Sequence, residues 1–201
     1  MAGYGLEPVR QATGGTIRAN NFCDGNGYRI AATAPSAFFE GDLVQYSSGN
    51  IVTDMGSASP GAVIGVFFGA EYSDNSTGDV KFVRSIPAST VAKAKFKAYV
   101  YDDPNTLFKV QADQASSALT AANVGNNLQI VASPTGSTVT FKSGLVADSS
   151  TIATTNTFPL QLLGSAETDL GFSAAGTTMD ILVRINSHQH RLGATGVTGI
   201  A

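Results

Sequence analysis

Across residues 91–101 the chain alternates from Ala92 onward. Ala92, Ala94, Phe96, Ala98 and Val100 are apolar, while Lys93, Lys95, Lys97, Tyr99 and Tyr101 are charged or amphipathic. On a strand successive side chains point to opposite faces, so this pattern makes one dry face and one wet face. On a helix Lys93 and Lys97 would lie together with Lys95 nearly opposite, which breaks any apolar stripe. Ala and Lys are good helix formers in isolation, but the period of two decides for strand. The same period returns at 106–111, with Phe108 and Val110 inward, and at 179–186, with Met179, Ile181, Val183 and Ile185 on one face.

Short apolar runs closed by turn residues occupy much of the remaining chain. Residues 28–33 form one run. Phe38-Phe39 leads through Gly41-Asp42 into 43–46, and Ser48-Gly49-Asn50 turns the chain into 51–53 as a hairpin. Residues 62–68 are almost continuously apolar, the pattern of a strand buried on both faces. Asp102-Asp103-Pro104-Asn105 is a strong turn signal. Further strands are expected at 128–132 and 138–142, and at 158–163, where Pro159 places the start at a sheet edge. Residues 116–124 read as the one helix, capped by Ser116 or Ser117 and closed by Gly125.

About ten short strands and one short helix describe an all-β barrel or sandwich. Residues 1–21 read as an extended N-terminal arm and 22–191 as a β-rich domain with a subdivision at 113–125. Residues 192–201 read as a flexible Gly-rich tail. Composition agrees with the class. Charged residues are 13% of the 201, where about 25% is usual. The 22 glycines are far above the average share, and Ser and Thr make up about a fifth of the chain. Coiled coils and long amphipathic helices need Glu, Lys, Leu and Arg instead. With 43% hydrophobic residues the chain can build a core rather than remain disordered.

The function classes that remain are few. A net charge of −3, without a concentrated basic footprint, argues against a nucleic-acid partner. The first ten residues lack the pattern of a secretory signal, and the 62–70 run is too short to cross a bilayer. The single cysteine, Cys23, forms no intrachain disulfide and no Cys-based zinc cage. These features fit folding in a reducing cytosol.

Catalytic motifs are hard to find: no G-x-S-x-G, no phosphate loop, no H-E-x-x-H. Gly25-Asn26-Gly27 lacks the third glycine of a dinucleotide fingerprint and reads as a hairpin turn. His188 and His190, two residues apart, would share one face of a strand. A metal needs a third ligand that the segment does not supply, so the pair reads as a polar strand end facing solvent or a neighbouring subunit. Asp102 and Asp103 read as an acidic turn, Asp24 with Asp42 or Asp54 as a weak calcium candidate, and Cys23 as a buried small hydrophobe. No catalytic, cofactor or metal residue is assigned. The arm carries Tyr4, Leu6, Val9 and Ile17 at irregular spacing. That suits separate pockets on a partner better than a helix face, and these four are the candidate protein-interface residues.

As an ordered string, the chain resembles a family of structural proteins of tailed bacteriophages, especially marine ones. The resemblance rests on Glu40-Gly41-Asp42-Leu43-Val44 and Ala62-Val63-Ile64-Gly65-Val66. It continues in Ala98-Tyr99-Val100-Tyr101-Asp102-Asp103-Pro104, Phe108-Lys109-Val110-Gln111 and Asn123-Val124-Gly125-Asn126-Asn127. It closes on Leu182-Val183-Arg184-Ile185-Asn186-Ser187-His188-Gln189, and Gly5-Leu6-Glu7-Pro8-Val9-Arg10 is similar to the short arm that begins such proteins. The resemblance implies a head decoration, or cement, protein: a non-enzymatic homotrimer on the capsid surface of the virion. It would be assembled in the host cytoplasm and would bridge major capsid protein subunits, with no cofactor, direct nucleic-acid contact or membrane. A tail or head–tail connector component is the alternative. A glycan-binding virion protein is a weaker one, because the chain has no Trp for a sugar platform.

Overall fold

The computed structural model describes residues 3–20, 28–30, 36–53, 61–74, 77–87, 96–114, 118–131, 136–167, 171–172 and 176–191. About half of them lie in strands and almost none in helix, as the alternation requires, and the strands form two closed β layers that meet along a shared wall.

The first barrel is built from the second half of the chain. Its strands are β10 (Thr106–Ala112), β11 (Asn127–Ile130), β12 (Ala147–Ala153), β13 (Leu160–Ser165) and β14 (Met179–Ile185). They run in the order β10-β12-β11-β13-β14, and β14 returns to pair antiparallel with β10, closing the ring. The inward residues Phe108, Val110, Leu128, Ile130, Leu160, Leu162, Ile181, Val183 and Ile185 are buried in one cluster. This is the dry face that the alternation of β10 and β14 anticipates. A strand from the start of the chain, β1 (Glu7–Gln11), adds to β10 antiparallel.

The second barrel comes from the segment between β1 and β10. It comprises β2 (Tyr28–Arg29), β4 (Leu43–Ser47), β5 (Asn50–Thr53), β6 (Gly65–Ser73) and β9 (Lys97–Tyr101), in the order β2-β9-β6-β4-β5. A parallel bridge between Ile30 and Ile51 joins its two ends. β7 (Val80–Val83) pairs with the far half of β6, and β3 (Phe38–Phe39) pairs with β8 (Ser85–Ile86). The core holds Tyr28, Phe38, Val44, Ile51, Ile64, Phe67, Ile86, Phe96, Ala98 and Val100. The β4–β5 hairpin turns on Ser48 and Gly49, both at positive φ as a two-residue hairpin loop requires.

The wall between the barrels explains the apolar run at 62–68. Val63 and Val66 belong to the first core, Ile64 and Phe67 to the second, and on β4 Leu43 and Val44 divide in the same way. Adjacent strand residues face opposite sides, so a strand with a core on each side carries apolar residues at nearly every position.

Several expectations are corrected. The helix at 116–124 is a single 3-10 turn, Ala121–Asn123. The Asn123 side chain accepts from the Thr120 backbone N–H at 2.8 Å, and Leu119 is drawn into the first core. The 138–142 strand is a turn: Ser137 Oγ accepts from the Val139 and Thr140 amides, and its carbonyl accepts from Phe141. Those bonds remove the amides that a ladder needs. β13 is no edge, since Pro159 lies outside it and the strand pairs with β11 and β14. The chain passes from β9 of the second barrel to β10 of the first across the 102–105 turn. The N-terminal segment is extended but not a separate arm, because Leu6 is buried in the first core and β1 lies in its sheet. Cys23, Asp24, Asp54, Gly25–Gly27, Lys93, Lys95, Ser116, Ser117 and 192–201 lie outside the described residues.

Candidate interaction surface

The four interface residues expected from the sequence are not one surface. Leu6 is sealed in the core, held by backbone bonds from Gly5 to Leu145 and from Leu6 to Gly41. Tyr4 is half-buried, with Lys109 Nζ 5.1 Å from its ring centroid. Burial, with Asp180 and Glu7 close by, pushes its phenol above the ordinary range. Ile17 is half-buried, and only Val9 is exposed. Beside β1 an open hollow is lined by Arg10, Gln11, Ala12, Gly14, Gly15 and Leu107, with Arg10 its only charge.

The acidic turn is partly buried. Asp102 accepts from the Tyr28 hydroxyl and the Asn20 amide, each at 2.7 Å. Asp103 accepts from Gln11 and from the Asn105 amide, so the two carboxylates are spent on separate structural bonds. Asp42 is buried beside Ser143 and accepts from the Phe39 amide; burial raises its pKa to about 7. The histidine pair is split: His188 is 1% exposed, whereas His190 reaches solvent. Among the described residues no three His, Cys, Asp or Glu side chains come together as a metal cage.

Between the two barrels runs a chain of alternating charges, Arg84–Glu40–Lys142–Glu7–Lys109–Asp180, with contacts from 2.9 to 3.6 Å. Burial disfavours the charged Lys142, but Glu40 and Glu7 outweigh it and raise its pKa.

Next to this chain lies a surface that the sequence did not single out. On β7, Val80 and Phe82 are 70% and 49% exposed; on the 137–142 turn, Val139 and Phe141 are 84% and 46% exposed. Phe82 packs on Phe68 and Tyr99 at centroid distances of 5.7 and 5.9 Å, and Phe68 on Tyr101 at 5.6 Å. Tyr101 feels the charges of Glu40, Lys142 and Arg84, and the Phe141 carbonyl takes the Glu40 amide at 3.0 Å. The aromatic cluster of the second barrel and the exposed Val139 and Phe141 of the 137–142 turn thus both flank the Glu40–Lys142 charges. Phe141 holds a left-handed φ of 61°, unusual for an aromatic residue. Apolar residues at 139 and 141 in a polar segment looked like a strand's inner face, and that signal hid them.

Comparison with family models, with curated proteins and with solved structures returns no match. No helix among the described residues is long and apolar enough to cross a membrane.

Proposed function

We propose that this chain is a structural protein of a tailed-phage virion. In this reading it is a head decoration protein that binds the outer face of the capsid as a homotrimer and bridges major capsid protein subunits. The carrying observation is the set of exposed apolar side chains Val80 and Phe82 on β7 and Val139 and Phe141 on the 137–142 turn. These residues stand on strand and turn backbone held by hydrogen bonds, so docking them costs little ordering entropy. Large apolar anchors ringed by charge are the usual source of binding energy at protein interfaces. Low overall charge supports the same reading, since few ionic groups must be desolvated when flat surfaces meet.

The test is capture by emptied, expanded capsids. Wild-type protein should co-sediment with the shells, and the double variant Phe82→Ser, Val139→Ser should bind at least tenfold more weakly while keeping its circular dichroism spectrum. Unchanged capture by the variant would remove this surface from the reading. Wild-type protein found on tails rather than heads would favour the connector alternative. Sedimentation of the free protein as a strict monomer, with no contacts between copies on the shell, would remove the trimer.

A further inference from the structure

We propose that residues 186–191 form an acid-released latch that holds the end of the first barrel against the second, with the neutral His188 ring as its bolt. The segment leaves β14 and crosses the seam. Ser187 O accepts from Val63 N at 2.9 Å and Val63 O accepts from Gln189 N at 2.7 Å. Arg191 Nη2 donates to Pro104 O at 2.6 Å, and His190 Nδ1 lies 3.3 Å from Asp102 O. His188 pairs with Val63 across this seam and is 1% exposed.

Its Nδ1 accepts from the His190 backbone N–H at 3.1 Å, so the ring is neutral with its proton on Nε2. That Nε2 is buried with no partner among the described residues. A second proton has only Nδ1 to go to. It destroys the acceptor and leaves a cation in a closed seam. Among the described residues the ionisable groups around the ring are His190, 5.4 Å away between centroids, Arg191 on the same segment, and Asp103 on the facing turn. The 61–64 segment opposite, Gly-Ala-Val-Ile, supplies no counter-charge. Burial first, then the two basic neighbours, hold the ring at about 4 instead of 6.5. The proton therefore binds the open latch first, and opening becomes easier as pH falls through that window. The latch belongs to the chain whatever surface it docks on.

The chain has two histidines, so two imidazole signals report the whole titration by NMR. His188 should stay neutral to about pH 4. Amide exchange at Val63 and Gln189, corrected for intrinsic rates, should show the opening constant rising about 80-fold from pH 6.5 to pH 4, as that displaced titration requires. Amides in the middle of β10 should remain protected. His188→Asn keeps an acceptor without a titrating ring and should flatten the rise, whereas His190→Asn should leave it in place. A His188 that titrates near 6.5, or seam amides whose opening is independent of pH in the wild-type chain, overturns the latch; so does an equal rise in His188→Asn. If His188→Asn does not fold, the wild-type titration and exchange decide alone.

Discussion

Asp42 occupies the seam as a carboxyl that folding would rather keep neutral. Its folded pKa of about 7 lies above the ordinary 3.8, because burial outweighs the bonds from Phe39 and Ser143 that lower it. The folded state then binds a proton more tightly than the unfolded chain. The stability this gives is complete below pH 3.8, is lost as pH rises, and is gone above pH 7. Asp42→Asn retains an acceptor for the Phe39 amide and cannot ionise. Its stability advantage over wild type should grow from near zero at pH 4 to a few kcal/mol at pH 8, read by urea unfolding at both pH values. A difference that does not change with pH would show that Asp42 is not held protonated. His188 works in the opposite sense across the same range: its folded pKa is depressed, so acid costs stability there. The two slopes oppose each other in wild type, and Asp42→Asn should expose the acid sensitivity of His188.

β6 is the element on which both cores depend. It begins at Gly65, which has φ +153° and lies so close to β9 that an added Cβ would fall on the Tyr101 carbonyl oxygen. Backbone cannot yield there without shifting β9, which pairs with β6 along most of its length. Gly65→Ala should therefore cost roughly 3 kcal/mol or more, well beyond a surface substitution. A midpoint in urea within experimental error of wild type would mean that β9 shifts at little cost. The β7 edge illustrates a different demand on an element. Lys81, bonded to Asp74 at 2.7 Å, stands between Val80 and Phe82, and a lysine on an edge strand discourages indiscriminate strand pairing. The β7 edge thus keeps a charge against aggregation beside its exposed apolar side chains.

The two barrels cannot lose their wall independently. Leu43 and Val66 fill one core while Val44 and Phe67, next to them in sequence, fill the other. The charge chain from Arg84 to Asp180 and the 186–191 latch add further links across the seam. Calorimetry should therefore show one thermal transition. Phe67→Ala in the second core and Leu162→Ala in the first should each lower that same transition, by about 2–5 kcal/mol of stability. Two resolved transitions, each moved by only one of these variants, would mean that the barrels fold separately.

The all-β class was legible because a period of two needs no tertiary information: β10 and β14 bury the residues that the alternation assigns to one face. The double burial of 62–68 was equally legible, since only a strand dry on both sides tolerates such a run. Turn chemistry was legible where one residue type dominates the local energetics, as at Ser48-Gly49. Elsewhere local signals competed with distant ones. Leu119 left an Ala-rich segment that favours helix because the first core offered it more buried area. The 138–142 alternation gave way to the Ser137 turn, and the chain at 3–11, poor in core residues of its own, became part of a barrel because β10 presented an open edge about 100 residues later. The charge chain, the seam carboxyl and the His188 latch were invisible for the same reason. Each joins residues far apart in sequence, and the burial that sets their chemistry exists only once two barrels close on a common wall.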